Sequence, residues 1–146
     1  MVFRSSDTLR VQGLADFRKE IKELEGRRDI EKELGREFQL IGRKVISAAR
    51  ARSAGLGRRE MRLARSFTAS RATGGVRVAM GGPNHPDALG AEFGGRGRRT
   101  TQQFRQHAGT TGYVLFPTIR EKSDETMQAA NEAIGRATSK AFPDRS

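Results

Sequence analysis

Two alternating runs about a glycine pair mark the centre of this chain. Phe67, Ala69 and Arg71 form the first run, Gly74-Gly75 break it, and Val76, Val78 and Met80 form the second. Strand side chains switch faces at every residue, so alternation on both sides of a two-glycine break predicts a β-hairpin. The predicted strands are Ser66–Arg71 and Val76–Met80. Ala88–Phe93 is predicted to return to the sheet. The short apolar run Tyr113–Phe116 fits a buried strand that Pro117 ends.

Helical spacing surrounds this centre. Leu14, Phe17, Ile21 and Leu24 recur in steps of three and four, which predicts a helix over Leu14–Leu24 stopped near Gly26. A longer helix is predicted over Asp29–Arg52, with Ile30, Leu34, Phe38, Ile41, Val45 and Ala48/Ala49 as its stripe and Asp29 as its N-cap. Gly35 and Gly42 lie on nearly one face of that helix, where a chain passing close by would account for them. Thr118-Ile119-Arg120-Glu121 has capping-box spacing, so a closing helix is predicted over Thr118–Ala141, followed by a short tail, 142–146. The predicted fold class is α+β: one domain over 1–146, with a small, mostly antiparallel sheet packed by two N-terminal helices and one C-terminal helix.

Two segments escape periodicity. Arg50–Arg65, RARSAGLGRREMRLAR, is strongly basic and holds a loop at Ser53–Gly57. Gly94–Gly112, GGRGRRTTQQFRQHAGTTG, is a long basic loop rich in Gly and Thr. A loop of that length is usually functional or disordered. It offers little apolar area to offset ordering, so it is expected to be mobile alone and ordered in an assembly.

Composition narrows the function. At 146 residues and 35% apolar content the chain can bury a modest core. Without Cys it has no disulfide or thiolate chemistry and suits a reducing compartment. No apolar run is long enough to span a membrane, and the start, MVFRSSDTLR, has no apolar signal region. The charge of +11 is unevenly placed: residues 43–120 carry 15 Lys/Arg against 3 Asp/Glu, while residues 1–42 carry 9 of each. Such asymmetry points to a polyanion or an acidic partner surface. Catalytic chemistry is thin. His85 and His107 are the only histidines, no ligand set for a metal accompanies them, and neither a phosphate-binding loop nor a nucleophile elbow is present. No enzyme activity, metal or cofactor is expected.

The order of parts resembles the neck, or head–tail joining (tail-completion), proteins of tailed bacteriophages. The residues that carry the resemblance are Val11-Gln12-Gly13-Leu14, Ala49-Arg50, Arg62-Leu63-Ala64-Arg65-Ser66-Phe67, Val76-Arg77-Val78-Ala79-Met80-Gly81, Glu92-Phe93-Gly94 and Phe116-Pro117. The resemblance covers about residues 11–140. Each motif is short, and the joint order carries the likeness. It implies a structural virion protein, made in the host cytoplasm and built into a homo-oligomeric, six-fold ring between the portal and the tail. Adjacent neck and tail proteins would be its partners, and double-stranded DNA would pass non-specifically through the lumen. The alternatives are a stand-alone basic nucleic-acid-binding domain of ribosomal type, or a basic subunit of another assembly.

Particular residues take expected roles. Phe93 is expected to anchor the sheet core and Gly94 to adopt a positive φ. Glu92, an isolated acid in a basic region, is either structural or paired with an arginine of a neighbouring subunit. Phe104, the large apolar group of the loop, is expected to dock onto an adjacent subunit or a neighbouring ring. Arg96, Arg98, Arg99 and Arg105 are expected to face DNA or an acidic partner, the alternative being a solvated basic loop.

Overall fold

The computed structural model describes residues 6–10, 27–72, 75–95, 104–105 and 111–141. Its elements in chain order are β1 (Ser6–Arg10), α1 (Arg27–Ala54), α2 (Arg58–Ala64), β2 (Thr68–Ala72), β3 (Gly75–Ala79), α3 (Ala88–Phe93), α4 (Leu115–Glu121) and α5 (Ser123–Ala141). The fold is α+β, as the periodicity predicts.

The sheet is antiparallel with order β1-β3-β2. β2 and β3 pair as the predicted hairpin, with Ala72 opposite Gly75, so Gly75 belongs to the strand and not to the break. In β3, Val76 and Val78 are buried and Arg77 is exposed, and Met80 just beyond continues the buried row. The third strand comes from a segment with no apolar alternation: Ser6 pairs with Ala79 and Arg10 with Gly75. Backbone pairing with β3 recruits it, and this is a strand that side-chain patterning does not predict.

The long helix α1 lies against one sheet face. Its stripe is largely as read, with Leu34, Phe38, Ile41, Val45 and Ala49 buried. Burying such aliphatic or aromatic side chains contributes roughly 1.5–3 kcal/mol each. The first half of α1 packs with α5 around Leu34, Phe38, Ile41, Val76, Ala130, Ala133 and Ala137. The second half gathers Ile46, Ala49, Leu63, Ala64, Phe67, Val78, Met80, Ala88, Ala91, Val114 and Leu115. The central strand β3 therefore supplies both clusters. Helices α1 and α5 run antiparallel, with ion pairs Glu33–Lys140 (2.8 Å) and Glu37–Arg136 one turn apart. Arg52 pairs with Glu121 (2.7 Å) near the other end of α1.

Several predicted elements are corrected. Ala88–Phe93 is helical: Ala88, Ala91 and Glu92 are buried, a spacing of three and four that a six-residue window does not separate from alternation. Tyr113–Phe116 is the entry to α4, not a strand, and Pro117 sits inside the first turn, where a missing N–H costs no intrahelical bond. Thr118 is no cap; it lies within α4, and its hydroxyl donates to the Val114 carbonyl (2.7 Å). The closing helix instead starts at Ser123. The basic stretch after Gly57 folds as helix α2. Asp29 lies in the first turn of α1, which begins two residues earlier than predicted; its charge there favours the helix dipole. The predicted helix over Leu14–Leu24 lies outside the described residues.

The two glycines of α1 separate physically. A Cβ on Gly42 would come 2.7 Å from Val76 Cγ2 and 3.1 Å from the Ala69 Cβ, so this is where helix and sheet touch. A Cβ on Gly35 would meet only the Arg71 side chain, 3.3 Å away at Cδ, and Arg71 is exposed and can move aside. Gly42→Ala should therefore destabilise by about 1–3 kcal/mol through overpacking. Gly35→Ala should be neutral or stabilising by up to about 1 kcal/mol through helix propensity. Urea unfolding of both variants checks the opposite signs.

Candidate functional site

The residues of the Glu-Phe-Gly motif fold back onto the start of α4. Glu92 is in α3 and fully buried. Its Oε2 accepts from the backbone N–H of Val114 (3.2 Å) and Leu115 (2.9 Å), and its Oε1 accepts from that of Phe116 (2.9 Å). Its own carbonyl accepts from the N–H of Tyr113 (2.8 Å). One residue thus receives four consecutive backbone donors, 113 to 116. The next position, Pro117, has no N–H, and the Thr118 N–H makes the first intrahelical bond to Val114 (3.4 Å). The free donors that open a helix are all accounted for.

The rest of the motif supports that clasp. Phe93 is half-buried, and its ring tilts against Phe116 with centroids 5.2 Å apart. Its predicted place in a sheet core is corrected: it lies on a helix and packs on a helix. Gly94 ends α3 with φ 78°, the positive φ expected, and its N–H donates to the Gly90 carbonyl (2.8 Å). Glu92 finds its partners inside its own chain, which corrects the reading of a neighbour's arginine. Its carboxylate has no exposed edge to offer. Gly112 is the residue that the sequence reading missed. It has φ 73°, and a Cβ there would collide with Glu92 Oε1 and come 3.0 Å from the Phe116 Cβ.

Burial pushes the Glu92 carboxyl above its ordinary value of 4.5. The N–H groups of Leu115, Phe116 and Val114 and the charge of Arg120 pull downward but only partly offset it.

A second constellation lies around α2. Arg58, Arg59, Glu60, Arg62, Asp87 and Arg105 line an open basin of about 500 Å³. Arg58 and Arg62 are one turn apart, and Arg59 lies three before Arg62, so the three share a broad helix face. Glu60 is buried and pairs with Arg105 Nε at 2.9 Å. Arg105 also donates to the Leu56 carbonyl (2.7 Å) and lies over the Tyr113 ring. Phe104 is seated on α3, where a Cβ on Gly90 would meet its ring at 2.5 Å, and Arg59 lies over its outer face at 5.6 Å. Phe104 and Arg105 are thus anchored within the chain, at the rim of the basin. Arg96, Arg98 and Arg99, with most of the basic loop, lie outside the described residues.

Other members of the arginine excess are stitches. Arg50 donates to the Ala64 carbonyl, Arg52 to that of Tyr113 and Arg120 to that of Thr111. Among the described residues, no group of three or more His, Asp or Glu is arranged to hold a metal, and no helix is long and apolar enough to cross a membrane.

Three outcomes test the clasp. Glu92→Ala strands three buried donors and should cost about 3 kcal/mol or more; Glu92→Gln opposes its amide to at least one N–H and should cost about 1–3 kcal/mol. Gly112→Ala should cost at least about 2 kcal/mol, since it combines a positive φ with a collision. Chemical denaturation reads all three. The folded chain also holds the Glu92 proton more tightly than the unfolded chain. Its contribution is therefore fullest below the ordinary value and is lost as pH rises through the raised one. The stability gap between the parent and Glu92→Gln should widen as pH falls from neutrality toward 4.5; a gap that narrows would reverse the assigned direction.

Comparisons with known protein families, curated proteins and solved structures gave no match.

Proposed function

We propose that this chain is a structural subunit of the neck of a tailed bacteriophage. Copies form a homo-oligomeric ring of six that joins the portal side of the capsid to the tail, and DNA passes through its lumen. The role is architectural and not enzymatic. The observation that supports this reading best is the Glu92 clasp. The Glu-Phe-Gly and Phe-Pro motifs of the resemblance are separated by a long basic loop, yet they meet through one carboxylate and one ring pair. These two motif pieces therefore belong to one folded unit, which supports the reading. Beside the clasp, the Gly95 N–H donates to the Arg105 carbonyl (2.8 Å), and the Tyr113 N–H donates to the Glu92 carbonyl.

A second reading, a stand-alone basic nucleic-acid-binding domain, is favoured by the arginine basin alone. Removing the gene from the phage that encodes it separates the two. On the neck reading, filled heads and free tails accumulate and joined particles fall by at least tenfold. The parent protein supplied in trans restores joining, and Glu92→Ala does not. Joined particles at parental frequency without the protein would overturn the neck assignment.

A further inference from the structure

We infer that Arg58, Arg59 and Arg62 form a contact surface for the phosphate backbone of double-stranded nucleic acid. The basin divides into a settled pair and an unsettled remainder. Glu60 and Arg105 neutralise each other at 2.9 Å, with Glu60 buried beneath the surface. Arg58, Arg59 and Arg62 are exposed, and none has a carboxylate within ion-pair distance among the described residues. Asp87 is the single remaining acid of the wall. The surface that is left carries three arginines against one acid, Asp87, and among the described residues no carboxylate pairs with them.

The shape and chemistry of that surface favour phosphate over an acidic protein. Every residue lining the basin is ionisable. A protein–protein interface has an apolar core inside its polar rim, and here none is present among the lining residues. Phosphate contact needs no such core; it needs guanidinium forks at a spacing that reaches successive anionic groups. Side chains three and four apart on a helix stand about 5–6 Å from one another at Cβ. Each duplex strand presents a charge about every 3.4 Å along the axis. Three long side chains on one helix face can therefore engage neighbouring phosphates of one strand. Arg59 is also held in place by the face of Phe104, which Gly90 admits, so one fork is pre-positioned.

Contacts to phosphates alone carry no sequence information, so the surface is expected to bind duplexes of any sequence. This deepens the neck reading and rests on it for the identity of the duplex, but the contact itself is read on the isolated chain.

The test is fluorescence anisotropy of the purified protein with a labelled 20-base-pair duplex of mixed sequence, titrated across salt. The parent should bind in the non-specific range, roughly 10⁻⁴–10⁻⁶ M near physiological salt. The triple variant Arg58→Gln/Arg59→Gln/Arg62→Gln should bind at least tenfold more weakly at about 0.1 M salt. Its log–log salt slope should be shallower by about 2 to 3, since each lost phosphate contact removes about 0.9. Its thermal unfolding should stay within a few degrees of the parent's, because all three side chains are exposed and only the Arg59 contact with Phe104 is lost. The control is Arg28→Gln/Lys32→Gln/Arg36→Gln, three exposed cations on the first half of α1, away from the α1 residues that pack with α2. It removes the same charge and should keep most of the affinity. Equal weakening by the two triples would reduce the effect to net charge and overturn the inference. So would a parent that binds no duplex, or one that binds polyglutamate through the basin more tightly than duplex of equal charge. A chain that binds duplex through these arginines but is dispensable for joining would overturn the neck reading and leave this one standing. A chain required for joining whose basin variant still binds duplex would do the reverse.

Discussion

The buried carboxylate of Glu92 is the contact on which the second half of the chain depends. Fully removing a carboxylate from water is costly, and a dense set of donors together with a tighter hold on its proton offsets that cost. Here the donors are the free N–H groups that begin α4. Each side solves the other's problem. The helix start needs acceptors in a dry environment, and the carboxylate needs donors. The sequence accommodates the exchange at both ends: Gly112 leaves room for the carboxylate, and Pro117 removes a donor that would have had no partner.

Around this clasp, short polar links add to the two apolar clusters. Arginines of α1 and α4 reach carbonyls on the neighbouring segments, and Ser66 ties the end of α2 to the loop after β3 by donating to the Leu63 carbonyl and accepting from the Gly81 N–H. The apolar clusters are modest and meet at β3. Some of the positive excess is therefore structural. Among the described residues, the arginines of α2 that have no acceptor share one broad face, and that is the subset the proposed contact uses. Charge placement along the chain points to a polyanion; only the pairing pattern says which arginines are available to meet it.

The neck reading and the arginine basin are linked by topology. Helix α2, which bears the free arginines, packs with α3, which bears Glu92. Phe104 packs on α3 under Arg59, and Arg105 lines the basin and pairs with Glu60. A ring subunit built this way would present its basic surface from a wall whose geometry is set by the same buried carboxylate that fixes the closing helices.

What the sequence alone determined were the features that repeat with a period. The hairpin about Gly74-Gly75, the face of α1 from Leu34 to Ala49, the closing amphipathic helix and the positive φ of Gly94 were legible because each rests on local geometry: strand alternation, helical spacing, or a conformation that glycine adopts freely. Tertiary structure decided the rest. Ala88–Phe93 and Tyr113–Phe116 are too short for periodicity to separate helix from strand, and the donors and acceptor that decide them come from segments about twenty residues apart. The strand Ser6–Arg10 carries no apolar alternation, and the free edge of β3 is what orders it. The role of Glu92 was open in the sequence between structure and a neighbour, because a lone acid in a basic region does not say where its partner lies. Long-range backbone hydrogen bonds decided it, and such bonds leave no mark on the side-chain pattern.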